Sequence, residues 1–176
     1  LKQSPYAKFL DHPDIAKRII VNGVEVARIY KPEKVPVTGE KAYEAEDREM
    51  GFTTGRRVKD TSARKEIAMA AVAGKHKPGI LLQGPYRTYD AGNHVLKVRL
   101  KYNRPAQRDL ALAVIEIYAH LPKEMLVRIP VHISQLEKGR YRNFRFPFTL
   151  DRTGEVECRI HFTGAANLWV DRIVIY

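Results

Sequence analysis

Apolar and polar residues alternate with period two through most of the chain beyond residue 90. Val98, Leu100 and Tyr102 share one side, and Lys97, Arg99 and Lys101 the other. The same rhythm places Ala113, Ile115 and Ile117 around Glu116. It places Phe144, Phe146 and Phe148 around Arg145 and Pro147, and Val156, Cys158, Ile160 and Phe162 around Glu157, Arg159 and His161. Period two is the signature of a strand with one face in a core and the other toward solvent. Leu168 to Tyr176 is apolar on both faces, which predicts a central strand. Turn formers separate the runs: Gly84-Pro85, Ala91-Gly92-Asn93, Lys138-Gly139 and Thr153-Gly154. Many short strands with regular turns predict a mainly β protein, an antiparallel β-sandwich of the jelly-roll kind.

Two segments depart from this rhythm. Tyr6, Phe9 and Leu10, then Ile15, Ala16 and Ile19, recur at helical spacing, and a short helix is expected over Ser4–Arg18. Asn22-Gly23 then stands between the apolar runs Ile19–Val21 and Val24–Tyr30. That is a hairpin signal, because both turn residues tolerate positive φ. The stretch 31–40, with Pro32, Pro36 and Gly39, reads as a connector. The expected organisation is therefore helix, hairpin and connector over 1–38 and a sandwich over 39–176. Ser62–Ala73 is rich in alanine, yet Ile67, Met69 and Ala71 alternate with Ala68, Ala70 and Val72, so a buried strand is expected there.

Composition adds limits. A chain of 176 residues with 44% hydrophobic residues can bury a core without staples. The single cysteine, Cys158, excludes an internal disulfide and a cysteine-based zinc site. The sequence opens on Leu1, and processing or excision from a longer protein is expected. No apolar run approaches the roughly 18 residues a spanning helix needs, so the piece is expected to be soluble. The net charge of +11 leaves three readings open: a solvated charged surface, proximity to anionic lipid headgroups, and nucleic-acid binding. The basic residues are spread along strands rather than gathered in one helix or tail, which favours nucleic acid least. Its best segment would be Lys138-Gly139-Arg140-Tyr141-Arg142-Asn143-Phe144-Arg145.

Catalytic patterns are missing. The six histidines show no H-x-x-H or H-E-x-x-H spacing, and there is no G-x-S-x-G elbow, Walker loop or G-x-G-x-x-G. The module itself is expected not to be an enzyme.

Three short motifs occur in order. Glu44-Ala45-Glu46 opens the β region, Gly84-Pro85-Tyr86 is followed by Ala91-Gly92-Asn93-His94-Val95-Leu96-Lys97-Val98, and Val170-Asp171-Arg172-Ile173 lies near the end. The set resembles the calcium-dependent β-jelly-roll carbohydrate-binding modules over residues 40–176. Ile19 to Lys31, with "NGVEVARIYK", resembles the segment after the last membrane helix of polytopic glycosyltransferases that use lipid-linked sugars. Together these resemblances imply a non-catalytic tail on the extracytoplasmic side of the cell membrane. Its partners would be a glycan, the membrane-embedded part of the parent chain and an anionic lipid surface. The alternative is a stand-alone module that binds an anionic polymer or membrane surface.

In an extended strand Glu44 and Glu46 would present two carboxylates on one face, which suits a hard cation. The resemblance adds Asp171 and implies a structural calcium at Glu44, Glu46 and Asp171. Sugar binding needs aromatic faces with polar neighbours. Phe52, Tyr86, Tyr89, Tyr141 and Trp169 are the aromatic candidates in loops or at loop edges, with Asn167 as the polar one.

Overall fold

A computed structural model describes residues 15–21, 24–30, 41–103, 110–120 and 123–176. The chain divides into two compact units, Leu1–Pro36 and Val37–Tyr176. In the first, β1 (Ile15–Val21) pairs antiparallel with β2 (Val24–Tyr30), and Val21 lies opposite Val24. The hairpin is as expected. The helix over Ser4–Arg18 is corrected at its end: Ile15–Arg18 belong to β1. Their helical spacing is overridden by pairing with β2, which suits the β-branched run Ile19-Ile20-Val21 that continues the strand. The remainder of that expected helix, 4–14, and the connector 31–40 lie outside the described residues.

The second unit is built of β3 (Lys41–Glu44), β4 (Arg56–Lys59), β5 (Ile67–Ala71), β6 (Gly79–Tyr89), β7 (Gly92–Asn103), β8 (Ala111–His120), β9 (Lys123–His132), β10 (Arg142–Leu150), β11 (Gly154–Phe162) and β12 (Asn167–Ile175). One sheet runs β10-β7-β12-β5-β4, with β3 also on β12. The other, of four strands, runs β6-β11-β8-β9. Every pairing is antiparallel. The two sheets form a sandwich, as the alternation predicts. Ser62–Ala73 contributes strand β5, whose Ala68–Ala71 are all buried.

The core lies between the sheets. The larger sheet supplies Leu96, Val98, Leu100, Phe146, Phe148, Leu168, Val170 and Ile173, and the smaller one Ile115, Ile117, Val156, Cys158, Ile160 and Phe162. Cys158 is thus a small apolar filler, and burial pushes its thiol pKa up. Gly55 joins the layers in a way only glycine permits. Its φ is +79°, and a Cβ there would meet the Ala70 carbonyl oxygen at 2.6 Å.

β12 organises the larger sheet. On one edge it pairs with β7 along its length. On the other, Leu168–Val170 pair with β5 and Arg172–Ile175 with β3. The change of partner falls at Asp171, where the register against β7 slips by one residue. A bulge of this kind leaves one residue unpaired and re-aims its side chain.

Candidate functional site

Three polar constellations stand on the sandwich. The first surrounds the β12 bulge. Asp171 is 0% exposed. Its Oδ1 accepts the Arg64 backbone N–H at 3.1 Å, its Oδ2 is paired with the Arg99 guanidinium, and its carbonyl accepts the Ala45 N–H at 3.0 Å. Glu44 lies opposite Arg172 in register, so the end strands are neighbours as the resemblance requires. Glu46, however, is not in a strand. β3 stops at Glu44, where a turn forms: the Asp47 N–H donates to the Glu44 carbonyl at 3.1 Å, and the Glu44 N–H to Asp47 Oδ2 at 2.9 Å. A turn, not an extended strand, sets the relation of the two glutamates.

Glu44 Oε2 and Glu46 Oε2 are buried without a hydrogen-bond partner, as are Nε and Nη1 of Arg172. Burial raises the Glu44 pKa, and the Asp171 charge adds to the rise against Lys65 and Arg172. Two orphaned carboxylate oxygens in one turn are a donor set that suits a hard cation. Asp171 differs, since both of its oxygens are already engaged. Among the described residues no three His, Cys, Asp or Glu side chains converge as a ready metal cage.

The second constellation covers the outer face of the larger sheet. Lys101 Nζ lies 4.6 Å from the Tyr141 ring centre and 5.4 Å from that of Trp169, and the Arg99 guanidinium lies 4.6 Å from the Tyr141 ring. The structure therefore brings two of the expected sugar-binding aromatics together, but cations occupy their faces. The loop after β4 closes over them. Asp60 pairs with Lys101 and accepts the Tyr141 hydroxyl at 3.0 Å, while the Ser62 hydroxyl donates to Asp60 Oδ1 at 2.6 Å. Burial works to raise the Asp60 pKa, but hydrogen bonds from Lys101, Ser62 and Tyr141 prevail and hold it at about 2. Asn167 is likewise engaged, its Oδ1 accepting the Ala73 N–H at 3.0 Å. Elsewhere, Phe52 lies beneath the Arg57 guanidinium at 5.7 Å, and the Tyr89 hydroxyl meets that of Tyr43 at 3.4 Å.

The third constellation is on the solvent face of the four-stranded sheet. Period two points Glu155, Glu157, Arg159 and His161 of β11 outward, beside Glu116, Tyr118 and His120 of β8. Glu157 is nonetheless only 1% exposed, because its neighbours roof it. The Tyr86 hydroxyl donates to Oε1 at 2.8 Å, and Arg159 Nη2 and His120 Nε2 donate to Oε2 at 2.6 and 3.2 Å. Burial acts to raise the Glu157 pKa, yet these bonds, Arg159 first, leave it lowered. One strand over, Glu116 holds His161 Nε2 at 2.9 Å and Arg128 Nε at 3.3 Å. Tyr118 carries the Arg159 guanidinium on its ring at 5.1 Å and meets His120 edge-on at 5.1 Å. Tyr86 remains 44% exposed, with its hydroxyl anchored and its ring tilted against that of His120 at 5.7 Å. Of the expected sugar-binding residues only Tyr86 belongs to this group. The others were hidden by their alternation with apolar residues, which reads as a solvated strand face. The available signal was a glutamate with arginine two residues on, the pair Glu157 and Arg159.

Known proteins add the following. No family model matches the chain, and no curated protein matches it in sequence. Solved structures do match in fold. The family 35 carbohydrate-binding module from Clostridium thermocellum is 18% identical with a TM-score of 0.52, covering 77% of this chain and 97% of that one. The CBM35 from Paenibacillus barcinonensis is 16% identical with a TM-score of 0.50, covering 77% and 98%. An exo-beta-1,3-galactanase from Phanerochaete chrysosporium is 12% identical with a TM-score of 0.52 over 78% of this chain, which spans only 29% of that enzyme.

The Asp60 cluster generates a prediction. A carboxyl held at about 2 rather than its ordinary 3.8 contributes stability that is complete above pH 4 and is lost as the pH falls toward 2. Acid unfolding followed by circular dichroism should show this loss. Asp60→Asn should flatten it and lower stability at neutral pH by about 1–3 kcal/mol, because Lys101 loses its buried partner. The sandwich side chains around Asp60, rather than solvent, set this dependence, so added salt should change it little.

Proposed function

We propose that this chain is a non-catalytic carbohydrate-binding module that lays a glycan across the solvent face of its four-stranded sheet. The observation that carries the reading is Tyr86. An exposed aromatic ring fixed by its own hydroxyl to a buried carboxylate is a rigid platform, able to take the apolar side of a pyranose at little entropic cost. His120, 5.7 Å away, and Arg159, which shares the Glu157 carboxylate with it, stand beside it as polar partners for ring substituents. The outer face of the larger sheet serves this reading less well, since its aromatics are occupied by Lys101 and Arg99. Fold likeness to carbohydrate-binding modules supports the class, and the lack of a catalytic pattern in the sequence accords with a module that binds without turning over.

A structural calcium belongs to the same proposal. Glu44 and Glu46 would hold it through their orphaned oxygens, with Asp171 at the adjoining bulge as the third acidic group. Its effect would be stability, since an ion that binds only the folded state stabilises by mass action. The setting proposed is the extracytoplasmic tail of a membrane glycosyltransferase, supported by the hairpin that carries "NGVEVARIYK". No helix among the described residues is long and apolar enough to cross a membrane.

Three outcomes are expected. A glycan array followed by titration calorimetry should find a carbohydrate ligand, and Tyr86→Ala should weaken it about tenfold or more at a temperature where the variant is still folded, its stability lowered by about 1–3 kcal/mol because Glu157 Oε1 loses its donor. Binding that survives Tyr86→Ala would place the ligand elsewhere. Calcium at a hundred times its dissociation constant should stabilise the chain by about 2.7 kcal/mol, and chelator should reverse this; identical melting with and without chelator would remove the ion. Finally, the coding sequence upstream of Leu1 should encode several membrane spans, and a soluble reading frame there would remove the glycosyltransferase setting.

A further inference from the structure

At the free edge of the larger sheet, cations from β4 and from the loop after it converge where few acids answer them. Arg57, Val58 and Lys59 line an open cavity of about 380 Å³ together with Lys65, Glu66 and Ile67. Arg57 and Lys59, two apart on β4, lie opposite Met69 and Ile67 of β5 and share one side of the strand. Arg57 is held twice. Its Nε donates to the Ala45 carbonyl at 3.2 Å, and its guanidinium lies over the Phe52 ring at 5.7 Å. Its Nη1 and Nη2 have no partner among the described residues. Lys65 comes from the loop and is exposed. Glu66 follows it at φ +59°, the left-handed region that non-glycine residues seldom enter. The bend is pinned by the Asp60 N–H, which donates to the Glu66 carbonyl at 2.8 Å, and by the Glu66 N–H, which donates to that of Ala63 at 3.2 Å. It lets Lys65 and Glu66 line one cavity although they are consecutive. Of the acids at hand, Glu66 lies 4.0 Å from Lys59 and Asp60 is committed to Lys101. The Lys65 charge also reaches Glu44, which is buried. Within the cavity itself, three cations face the one carboxylate of Glu66.

A planar carboxylate needs less than this, since the arginine fork alone satisfies both of its oxygens. A phosphoryl group is tetrahedral and carries close to two charges. It offers two oxygens to the fork and a third to the point-like ammonium groups. We propose that the cavity is a phosphoryl-binding site for a phosphate monoester, free or on a lipid headgroup. Arg57 is the fixed fork, ordered before the ligand arrives by Ala45 and Phe52, which lowers the cost of binding. Lys59 and Lys65 are the flexible cations that close on the group. The Lys59–Glu66 pair is exposed and weak, so Lys59 can exchange it for the ligand. This site lies on the other sheet from Tyr86 and does not depend on the glycan proposal.

The test titrates the whole chain with glycerol 3-phosphate, methyl sulfate and acetate at constant ionic strength and follows the backbone amide shifts by NMR. At a pH of about 8 the phosphate monoester is a dianion. Methyl sulfate is tetrahedral with a single charge, and acetate is planar with a single charge. The phosphate should move the amides of residues 57–59 and 65–67 saturably and bind about tenfold or more tighter than either control. Arg57→Lys keeps the charge and removes the fork, and should weaken binding about tenfold. The exposed changes Lys59→Gln and Lys65→Gln should weaken it about threefold each, and Glu66→Gln should tighten it. Arg57 also braces Ala45, so the two lysine variants decide the matter if Arg57→Lys does not fold. Phosphatidylcholine vesicles with and without phosphatidic acid separate the two sources. Flotation that needs phosphatidic acid and is lost in the lysine variants assigns a lipid headgroup. Binding of glycerol 3-phosphate without flotation assigns a soluble ester, and either result supports the site. Phosphate shifts that are absent, or spread over the other basic strands, would overturn it. So would equal affinity for methyl sulfate or acetate, which would reduce the effect to unspecific attraction by a chain of net charge +11, and so would affinity unchanged in both lysine variants.

Discussion

The fold turns on one buried carboxylate. Asp171 sits where β12 exchanges one neighbour for another, and an unpaired charge at 0% exposure would be very costly. The cost is met by Arg99 from β7 and by the Arg64 backbone from the loop after β4. Those two contacts place the loop over the outer face of the larger sheet. The loop in turn delivers Ser62 and Asp60 to Lys101 and Tyr141. A single bulge thus fixes how the larger sheet is roofed, and the roof leaves its aromatics with cations rather than ligands against them.

The opposite sheet is arranged in the other sense. Its polar residues also satisfy one another, through Glu157 and Glu116, but no segment of the described chain closes over them as the Asp60 loop does. Saturated hydrogen bonds make a face rigid, and an open rigid face with an exposed ring is suited to recognition. The two sides of one sandwich have taken similar ingredients, aromatic rings with arginine and carboxylate, to different ends. What separates them is whether a loop lies on top.

The sequence made the strands legible because one-sided burial writes period two directly into residue order, as in Val156–Phe162 and Phe144–Phe148. It misled where periodicities overlap. Ile15 to Arg18 has helical spacing when read with Tyr6 and Phe9, and strand spacing when read with Ile20 and its partners on β2. Glu44-Ala45-Glu46 looked extended because nothing in three residues announces that Asp47 will cap a turn. Glu157 was the hardest to see. A glutamate between Val156 and Cys158 is the ordinary outward residue of a strand, and its burial depends on Tyr86 and His120, 71 and 37 residues away. Local pattern gives the direction of a side chain, but only the register of distant strands says what it will meet there. Tyr141 and Trp169 were expected as sugar-binding aromatics, and no local pattern tells that Lys101, opposite Trp169 in register, lies against both rings.

The central place of β12 has a kinetic consequence. Its three partners, β3, β5 and β7, begin at Lys41, Ile67 and Gly92, while β12 itself begins at Asn167. None of the larger sheet's middle pairings can form until more than a hundred residues of chain separate β3 from its mate and have been made. Contacts of such long sequence separation carry a high loop-closure cost and slow the search, so folding on the scale of milliseconds to seconds is the natural regime for this topology. During synthesis β7 would wait with one edge open, and the alternation of Lys97, Arg99 and Lys101 along it would serve, before any ligand or partner is met, to keep nascent chains from pairing with each other.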